Sequence, residues 1–478
     1  MFKLIDSIIH QFQICFKRKN TFSIFVIIIM GMILRPDLRG VTSFVGCLKI
    51  RPEFYRSLLN FFRSKAYNLE NIKNCWLNIV LQKIDPVMIA DRITIVGDHI
   101  KISKEAKYMP GVKKHHQESE NSGKKEYIFG HQFGVIGVLA KGTTKQCIPV
   151  SVEMHDGKID SDSFYNYEIE GIKKKSIVTK MVQMAGSIAS SAGNVNLILD
   201  AYFASKSAFE AANKINSNLC RTAISLIMRA KSSSVGFGEV PEVIGKRGRG
   251  RPRKYGDKII FSELFESKIN KFSKVTMKLY GKLENVQYHC VDLIWKPIRE
   301  KVRFVLVKTS EKTMILVCSD LHMEPEKIIL AYSYRFKIEV SFKMLKQIMG
   351  GFFYHFWTLA MPKMSKYKTN TDVTFIKDRK LQSRILATIQ AIEVFVNIGG
   401  IATGIISIVA LTMPDTVWKH YTGFLRTKSS EVPSVETVKN VLGNILMWNF
   451  RNLADIASFK IIRKYQRQET SFDTKFSA

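Results

Sequence analysis

Paired cysteines and acidic residues are scarce in this sequence. Its seven cysteines are scattered and never spaced as CxxC, which argues against a disulfide framework or zinc ribbon and favours a reducing cytoplasm. Only 41 Asp and Glu stand against 73 Lys and Arg, giving a formal net charge of +32 over 478 residues. That excess is larger than solubility requires and fits a polyanionic partner, either nucleic acid or an anionic membrane surface.

A cleavable signal peptide is not apparent, because an acid and a histidine interrupt the first twenty residues. The apolar run 22–34 is too short to span a bilayer and predicts a buried helix. Residues 394–413 carry no charge, so hydropathy alone makes them a transmembrane candidate. A core helix of a large protein gives the same pattern. We expect the buried helix and no membrane partner, with a membrane span as the alternative.

The pattern of apolar, basic and turn-forming residues divides the chain into five regions. Residues 1–85 are predicted to be helical, either as plain helical packing or as a DNA-binding helix-turn-helix. Strands dominate 86–230, where three strands, a helix and further strands predict an α/β sheet. Residues 231–322 combine a basic tract with β-like segments and predict an insertion with its own small sheet. A helix is expected within 323–360, and 361–478 reads as mostly helical.

Two aspartates follow apolar strands. Asp98 comes after "ITIV" and Asp200 after "NLIL", so each is predicted to end a buried strand, where sites in α/β sheets gather. Carboxylates there require compensation, and hard metal ions are common partners. Strand-end aspartates are frequent, so a third acid is needed to complete an oxygen-rich site.

Glu339 can supply that third carboxylate. It lies in "AYSYRFKIEVSFKMLKQ", where Tyr332, Arg335 and Lys346 recur at helical spacing around it. On one continuous helix these side chains would share a face. The two cations would then hold phosphates beside the acid. An ordinary amphipathic helix is the simpler explanation of the spacing alone.

The pattern Tyr332-x2-Arg335-x3-Glu339-x6-Lys346 resembles the signature around the third catalytic acid of a large group of bacterial insertion-sequence DDE transposases. All four positions match, and "LILDAYFAS" and "RGRPRKYGDKI" are similar to stretches of that group. The resemblance covers roughly 30–450 and is densest between 90 and 350.

This resemblance implies an α/β fold with a ribonuclease H-like catalytic core, interrupted by a β-rich insertion and flanked by helical N- and C-terminal regions. It implies that Asp98, Asp200 and Glu339 bind Mg²⁺, with Mn²⁺ as a substitute, and that Tyr332, Arg335 and Lys346 contact DNA. The long separation before the third acid matches the subset of the family that carries a β-rich insertion and tends to cut through a DNA hairpin. In that subset an insertion-domain tryptophan stacks on a flipped base, which would make Trp295 a DNA contact; a tryptophan of the core is the alternative.

The tract "GKRGRGRPRKYG" adds a second predicted DNA contact. Its basic side chains either enter an A·T minor groove, as in an AT-hook, or touch phosphates without reading sequence, which we favour. The residues predicted to bind DNA here are Arg247, Arg249, Arg251, Arg253 and Lys254.

We therefore expect a cytoplasmic, nucleoid-associated transposase. Its partners would be the double-stranded DNA of the transposon ends and the target, with a homodimer pairing two ends. Two alternatives from other classes are a DNA-binding relative whose catalysis has decayed and, with less support, a basic membrane protein.

Overall fold

The computed structural model describes residues 1–117, 123, 126–155, 176–241, 253–267, 269–363, 376–424, 430–449 and 453–467. The helices are α1 Phe2–Gln11, α2 Lys19–Leu34, α3 Val41–Cys47, α4 Tyr55–Phe62, α5 Leu69–Lys83, α6 Ile177–Ala192, α7 Lys206–Asn218, α8 Phe261–Ser267, α9 Pro325–Ser333, α10 Lys337–Lys343, α11 Arg379–Thr412, α12 Pro414–Lys419, α13 Val435–Asn449 and α14 Ala457–Tyr465. The strands are β1 Met88–Ile89, β2 Arg92–Ser103, β3 Lys113–His116, β4 Tyr127–Ala140, β5 Gln146–His155, β6 Val195–Leu199, β7 Ile224–Arg229, β8 Val235–Phe237, β9 Lys258–Ile260, β10 Ser273–Leu279, β11 Lys282–Trp295, β12 Glu300–Lys308 and β13 Thr313–Cys318. The chain is thus a mixed α/β protein, as predicted.

All strands of the described residues belong to one 13-stranded sheet. At one end, β5 pairs with β4 and β4 with β2, both antiparallel. The sheet then continues through β6 and β7, which run parallel to β2. Helix α6 packs against this part of the sheet, where its Met181 side chain approaches Gly97 so closely that a Cβ there would lie 2.9 Å from the sulfur. A side chain at position 97 would therefore force the Met181 and Leu199 side chains to move.

The strands of 231–322 do not form a sheet of their own. β13 pairs antiparallel with β7, and β12 and β11 follow in order, so these strands extend the sheet built by 86–230. The prediction of a separate small sheet was wrong. Apolar β13 is buried throughout its last five residues, because it lies inside the sheet instead of at an edge.

Helix α11 covers the β5 edge of the sheet through two polar side chains. Asn397 accepts the N–H of Val152 at 3.0 Å and donates to its carbonyl at 2.8 Å. Glu393 accepts the N–H of Met154 at 2.9 Å. An edge strand leaves such groups unpaired, and burying them without partners is unfavourable. α11 therefore satisfies the edge that it buries.

Among the described residues, α11 is also the one helix long and apolar enough to cross a membrane by length and composition. Its most apolar window is 94% buried inside the protein. The shorter apolar helix α2 is likewise buried from Ile24 to Leu34, as predicted for that run.

Residues 41–62 contain two of the predicted N-terminal helices, α3 and α4, which pack against each other and against α2. Arg35, at the end of α2, is fully buried. Its guanidinium donates to the carbonyls of Met349 at 2.7 Å and Gly350 at 3.0 Å. The N-terminal helices are thereby joined to the segment that follows α10.

Candidate active site

Asp98 and Asp200 come together through the register of β2 and β6. These parallel strands pair up to Val96 and Ile198, so two residues further along each strand the aspartates stand level with each other. Asp98 does not end its strand, however. β2 continues to Ser103 because β4 still pairs with it after β6 has ended. Asp98 follows Gly97, which faces α6, and alternation along the strand directs its carboxylate to the opposite face.

The third acid reaches this place on α10, and Arg335 connects it to the first. Arg335 Nη2 donates to Glu339 Oε1 at 2.6 Å, and its Nη1 lies 3.5 Å from Asp98 Oδ2. The guanidinium is only 18% exposed, whereas the Glu339 side chain is 56% exposed. Arg335 thus lies between Asp98 and Glu339, the charge of Asp200 also acts on it, and the Glu339 carboxylate is open to solvent.

Tyr332 completes the arrangement from the end of α9. Its ring is buried, and its hydroxyl donates to Asp200 Oδ1 at 3.3 Å. Burial raises the pKa of this phenol, and the charge of Asp200 raises it further. Tyr332 therefore remains a neutral hydrogen-bond donor to the second acid.

The predicted single helix is broken. The chain turns at 334–336, between α9 and α10, and a π-helical turn, Met344–Ile348, follows α10. The break preserves the contact between Arg335 and Glu339 but separates Lys346 from them. Lys346 is exposed on the π turn, and no hydrogen bond or ion pair links it to the three acids in the part of the chain that is described. Its role in DNA contact stays a prediction.

Burial is the largest influence on the pKa of Asp98. Desolvation raises the pKa of Asp98 to about 6, and Asp200 and Glu339 raise it as well. The backbone N–H of His99, 2.7 Å from Asp98 Oδ1, and the charge of Arg335 act in the opposite direction.

His99 is a neutral structural neighbour of this cluster. Burial lowers its pKa to about 4, and its ring lies 4.8 Å from that of Tyr202 and 5.7 Å from that of Phe203. The Nδ1 atom is buried without a hydrogen-bond partner and lies 3.6 Å from Asp98 Oδ1. These contacts fix the strand beside Asp98.

The three acids offer carboxylate oxygens, which are the ligand atoms that hard divalent cations prefer. In the described ranges, no group of three or more His, Cys, Asp or Glu side chains is assembled closely enough to hold a metal ion. The Glu339 carboxylate is turned to Arg335 instead. For all three acids to share an ion, Arg335 must release Glu339, and the exposure of Glu339 leaves room for that movement.

Trp295, predicted as a base-stacking residue, is 8% exposed in this structure. It lies at the end of β11, and its ring meets Phe209 of α7 edge-on with centroids 5.4 Å apart. Trp295 is therefore buried as expected for a core tryptophan, which was the alternative to a DNA contact. A role in DNA binding stays a prediction that would require Trp295 to leave its pocket.

Tyr280 is a residue at the site that sequence reasoning missed. It occupies the turn between β10 and β11, with φ of 51° followed by Gly281 at 90°. Its ring is 40% exposed and lies 5.7 Å from Phe336, next to Arg335. The Tyr-Gly pair signals a tight turn, but only the sheet register brings that turn to the acids.

The basic tract is described only at its end. Arg253 and Lys254 are exposed, and Arg253 Nη1 lies 3.9 Å from Asp257 Oδ1. Arg247, Arg249 and Arg251 lie outside the described residues. No known family model matches the chain, and no curated protein shows significant similarity to it.

Proposed function

We propose that the chain is a DNA transposase that cleaves and joins DNA at the ends of its own insertion sequence through Asp98, Asp200 and Glu339. The observation that carries this proposal is the convergence of these acids. Two of them stand level on parallel strands, and the third meets them through Arg335. Ordinary amphipathic packing accounts for the spacing on α10 but gives no reason for three carboxylates to share one place.

The strand order supports a ribonuclease H-like core within this proposal. β5, β4 and β2 are antiparallel, and β6 and β7 add in parallel on the other side of β2. Numbered by their order in the chain, these five strands lie across the sheet in the order third, second, first, fourth and fifth. This is the order that the fold requires, with the first acid on the central strand and the second directly after the fourth.

Each residue has a role in the proposed reaction. Asp98, Asp200 and Glu339 would hold Mg²⁺, or Mn²⁺ as a substitute, and the bound ions would activate a water or 3′-hydroxyl and steady the leaving oxygen. Tyr332 orients Asp200 through its hydroxyl. Arg335 offsets the repulsion between the acids and, once it releases Glu339, has a free fork of donors for a DNA phosphate.

The charge of the chain supports DNA as the substrate. A net charge of +32 matches a partner with closely spaced phosphates. The basic tract 245–256, the exposed Lys346 and Tyr280 extend the proposed contact beyond the acids. Trp295 remains a proposed base contact only if it becomes accessible. We further propose that a homodimer pairs the two transposon ends in the cytoplasm.

Excision in bacterial cells tests the proposal. A plasmid would carry the chain's coding sequence with its native flanking DNA, and amplification across the flanks would detect loss of the element and new junctions. We expect junctions with the intact chain and none with Asp98→Asn, Asp200→Asn or Glu339→Gln. Substituting Glu326, an acid on α9 that accepts from Tyr288, by Gln is the matched control and should leave junctions. Equal junction frequency in all variants would refute the assignment of the acids.

A further inference from the structure

A second concave site lies on the other side of α10. The cavity measures about 500 Å³ and is bounded by the start of β5, by α10 and by the α12–α13 region. Its size is within the range of roughly 300–1,000 Å³ that is usual for ligand sites. Lys337 and Val340 of α10 line it, and in sequence they flank Glu339. The cavity therefore borders the proposed active site without containing any of its acids.

Two lysines, Lys145 and Lys337, line this cavity. Neither forms an ion pair within the residues that the structure describes, although the Lys337 ammonium lies 4.7 Å from the centre of the Phe336 ring. Burial lowers the pKa of Lys337, and the nearby charge of Lys145 lowers it further. The acid that lines the cavity, Glu436, is exposed. Two ammonium groups that repel each other over one space favour an anion between them.

An aromatic pair forms another part of the lining. The rings of Trp418 and Tyr421 are 5.7 Å apart and nearly perpendicular. The Trp418 indole N–H donates to the carbonyl of Glu431 at 2.8 Å, which fixes its ring. Ser434 also lines the cavity, but its hydroxyl already accepts the N–H of Thr437, so the start of α13 is capped by the chain itself. The features that point to a ligand are the lysines and the rings.

We infer that this cavity binds one nucleotide of a single DNA strand, with its phosphate between Lys145 and Lys337 and its base against Trp418 and Tyr421. Phosphate beside cations and a base on an aromatic face are the two elements of single-strand binding. The inference rests on the proposed function, because it assigns the cavity to a strand that leaves the neighbouring acids. Val340, an exposed apolar residue at 39%, lines the cavity and is the next residue after Glu339.

The test is the binding of a labelled oligothymidylate, measured by fluorescence anisotropy in EDTA with the full chain. We expect Lys145→Gln/Lys337→Gln to weaken binding about tenfold and to lower the salt slope by about 0.7, the contribution of one single-strand phosphate contact. Lys214→Gln/Lys274→Gln removes the same charge from α7 and β10 and should have less than half that effect on affinity. Equal effects of the two double variants would overturn the inference.

Separate measurements test the aromatic part of the site. Trp418→Ala should weaken oligonucleotide binding about tenfold, whereas Trp418→Phe, which keeps a stacking ring, should stay within about threefold of the intact chain. An abasic strand should bind the intact chain as weakly as the normal strand binds Trp418→Ala. If the abasic strand binds as tightly as the normal strand, or if Trp418→Ala changes nothing, no base occupies the cavity.

Competition with a free nucleotide tests whether the cavity binds a strand or a single nucleotide. Thymidine monophosphate at millimolar concentration should displace little of the oligonucleotide, and displacement at equal concentrations would overturn the assignment to a strand. No metal and no transposon end is used, so the result is independent of cleavage. If the intact chain binds the strand through the cavity but never cleaves DNA, the proposed function is contradicted and this inference is not. If the intact chain cleaves DNA and the cavity variants bind the strand normally, this inference is contradicted and the proposed function is not.

Discussion

Arg335 holds Glu339 by a 2.6 Å hydrogen bond from Nη2 to Oε1. With its other nitrogen it lies 3.5 Å from Asp98. One guanidinium therefore connects the first and third acids of the proposed triad across the break between α9 and α10. In this arrangement the guanidinium is the cation that offsets these two carboxylates.

Replacing Arg335 should change the pH dependence of cleavage as well as its rate. Without the guanidinium, only one of the two groups that lower the pKa of Asp98 is left, the backbone N–H of His99, so that pKa rises. We expect Arg335→Ala to lower cleavage at least about tenfold and to move the acid limb of the pH–rate profile to higher pH. Arg335→Lys, which keeps the charge but not the fork, should shift the limb less. An unchanged limb in Arg335→Ala would show that Arg335 does not act on Asp98.

The raised pKa of Asp98 also predicts a pH-dependent stability in metal-free buffer. Its pKa is about 6 in the folded chain against an ordinary value of 3.8, so between these values the folded state binds more protons than the unfolded state. The free energy of unfolding should therefore fall as pH rises from about 4 to 6, by about 3 kcal/mol at most. Urea unfolding in EDTA should show this fall in the intact chain but not in Asp98→Asn. A parallel pH dependence of the two proteins would contradict the raised pKa.

Much of this site was predictable from the sequence, for local reasons. The strand segments that precede Asp98 and Asp200 are continuous apolar runs. The spacing of Arg335 and Glu339 predicts a contact between them, and that ion pair forms even though Arg335 lies in the turn before α10. What the sequence could not reveal depends on partners distant in the chain. β2 passes beyond Asp98 because β4 continues beside it, and β13 joins β7 instead of a separate sheet.

Long-range contacts also explain the other differences. Trp295 is buried because α7 presents Phe209 to it, and no local pattern announces that packing. Tyr280 reaches the acids through the hairpin of β10 and β11. Asn397 and Glu393 are two polar residues on a largely apolar helix, and a hydropathy profile gives no reason for their presence. In the structure their side chains bond to backbone groups at the edge of β5, which α11 covers.

That edge contact predicts a specific loss of stability. Asn397→Leu leaves the N–H and the carbonyl of Val152 buried without partners, so the free energy of unfolding should fall by about 2–4 kcal/mol. Ser407→Ala is a matched control on the same helix, because among the described residues the Ser407 hydroxyl bonds only to the Thr403 carbonyl within α11, and it should change stability by about 0.5 kcal/mol or less. If Asn397→Leu is as stable as the intact chain in urea unfolding, α11 does not cover β5 in this way.

The buried guanidinium of Arg35 predicts a link between the N-terminal helices and the Glu339 segment. Burial lowers the pKa of Arg35 to about 10, yet its nitrogens pair with the carbonyls of Met349 and Gly350. Arg35→Met should lower the free energy of unfolding by about 3 kcal/mol because those carbonyls lose their partner. Arg39→Met, at an exposed arginine four residues away, should have little effect. Comparable losses in the two variants would show that the carbonyl pairing is not what stabilises this junction.

We propose that Glu339 belongs to a metal-dependent DNA-cleaving site with Asp98 and Asp200. The most direct test of this proposal is cleavage of a labelled DNA that carries the element's own ends, with and without Mg²⁺, by the purified intact chain and by Glu339→Gln. The account predicts nicked or hairpin products that require Mg²⁺ and disappear in Glu339→Gln, while both proteins bind the DNA with similar salt dependence. Tight binding without cleavage by either protein, or equal cleavage by both, would contradict it.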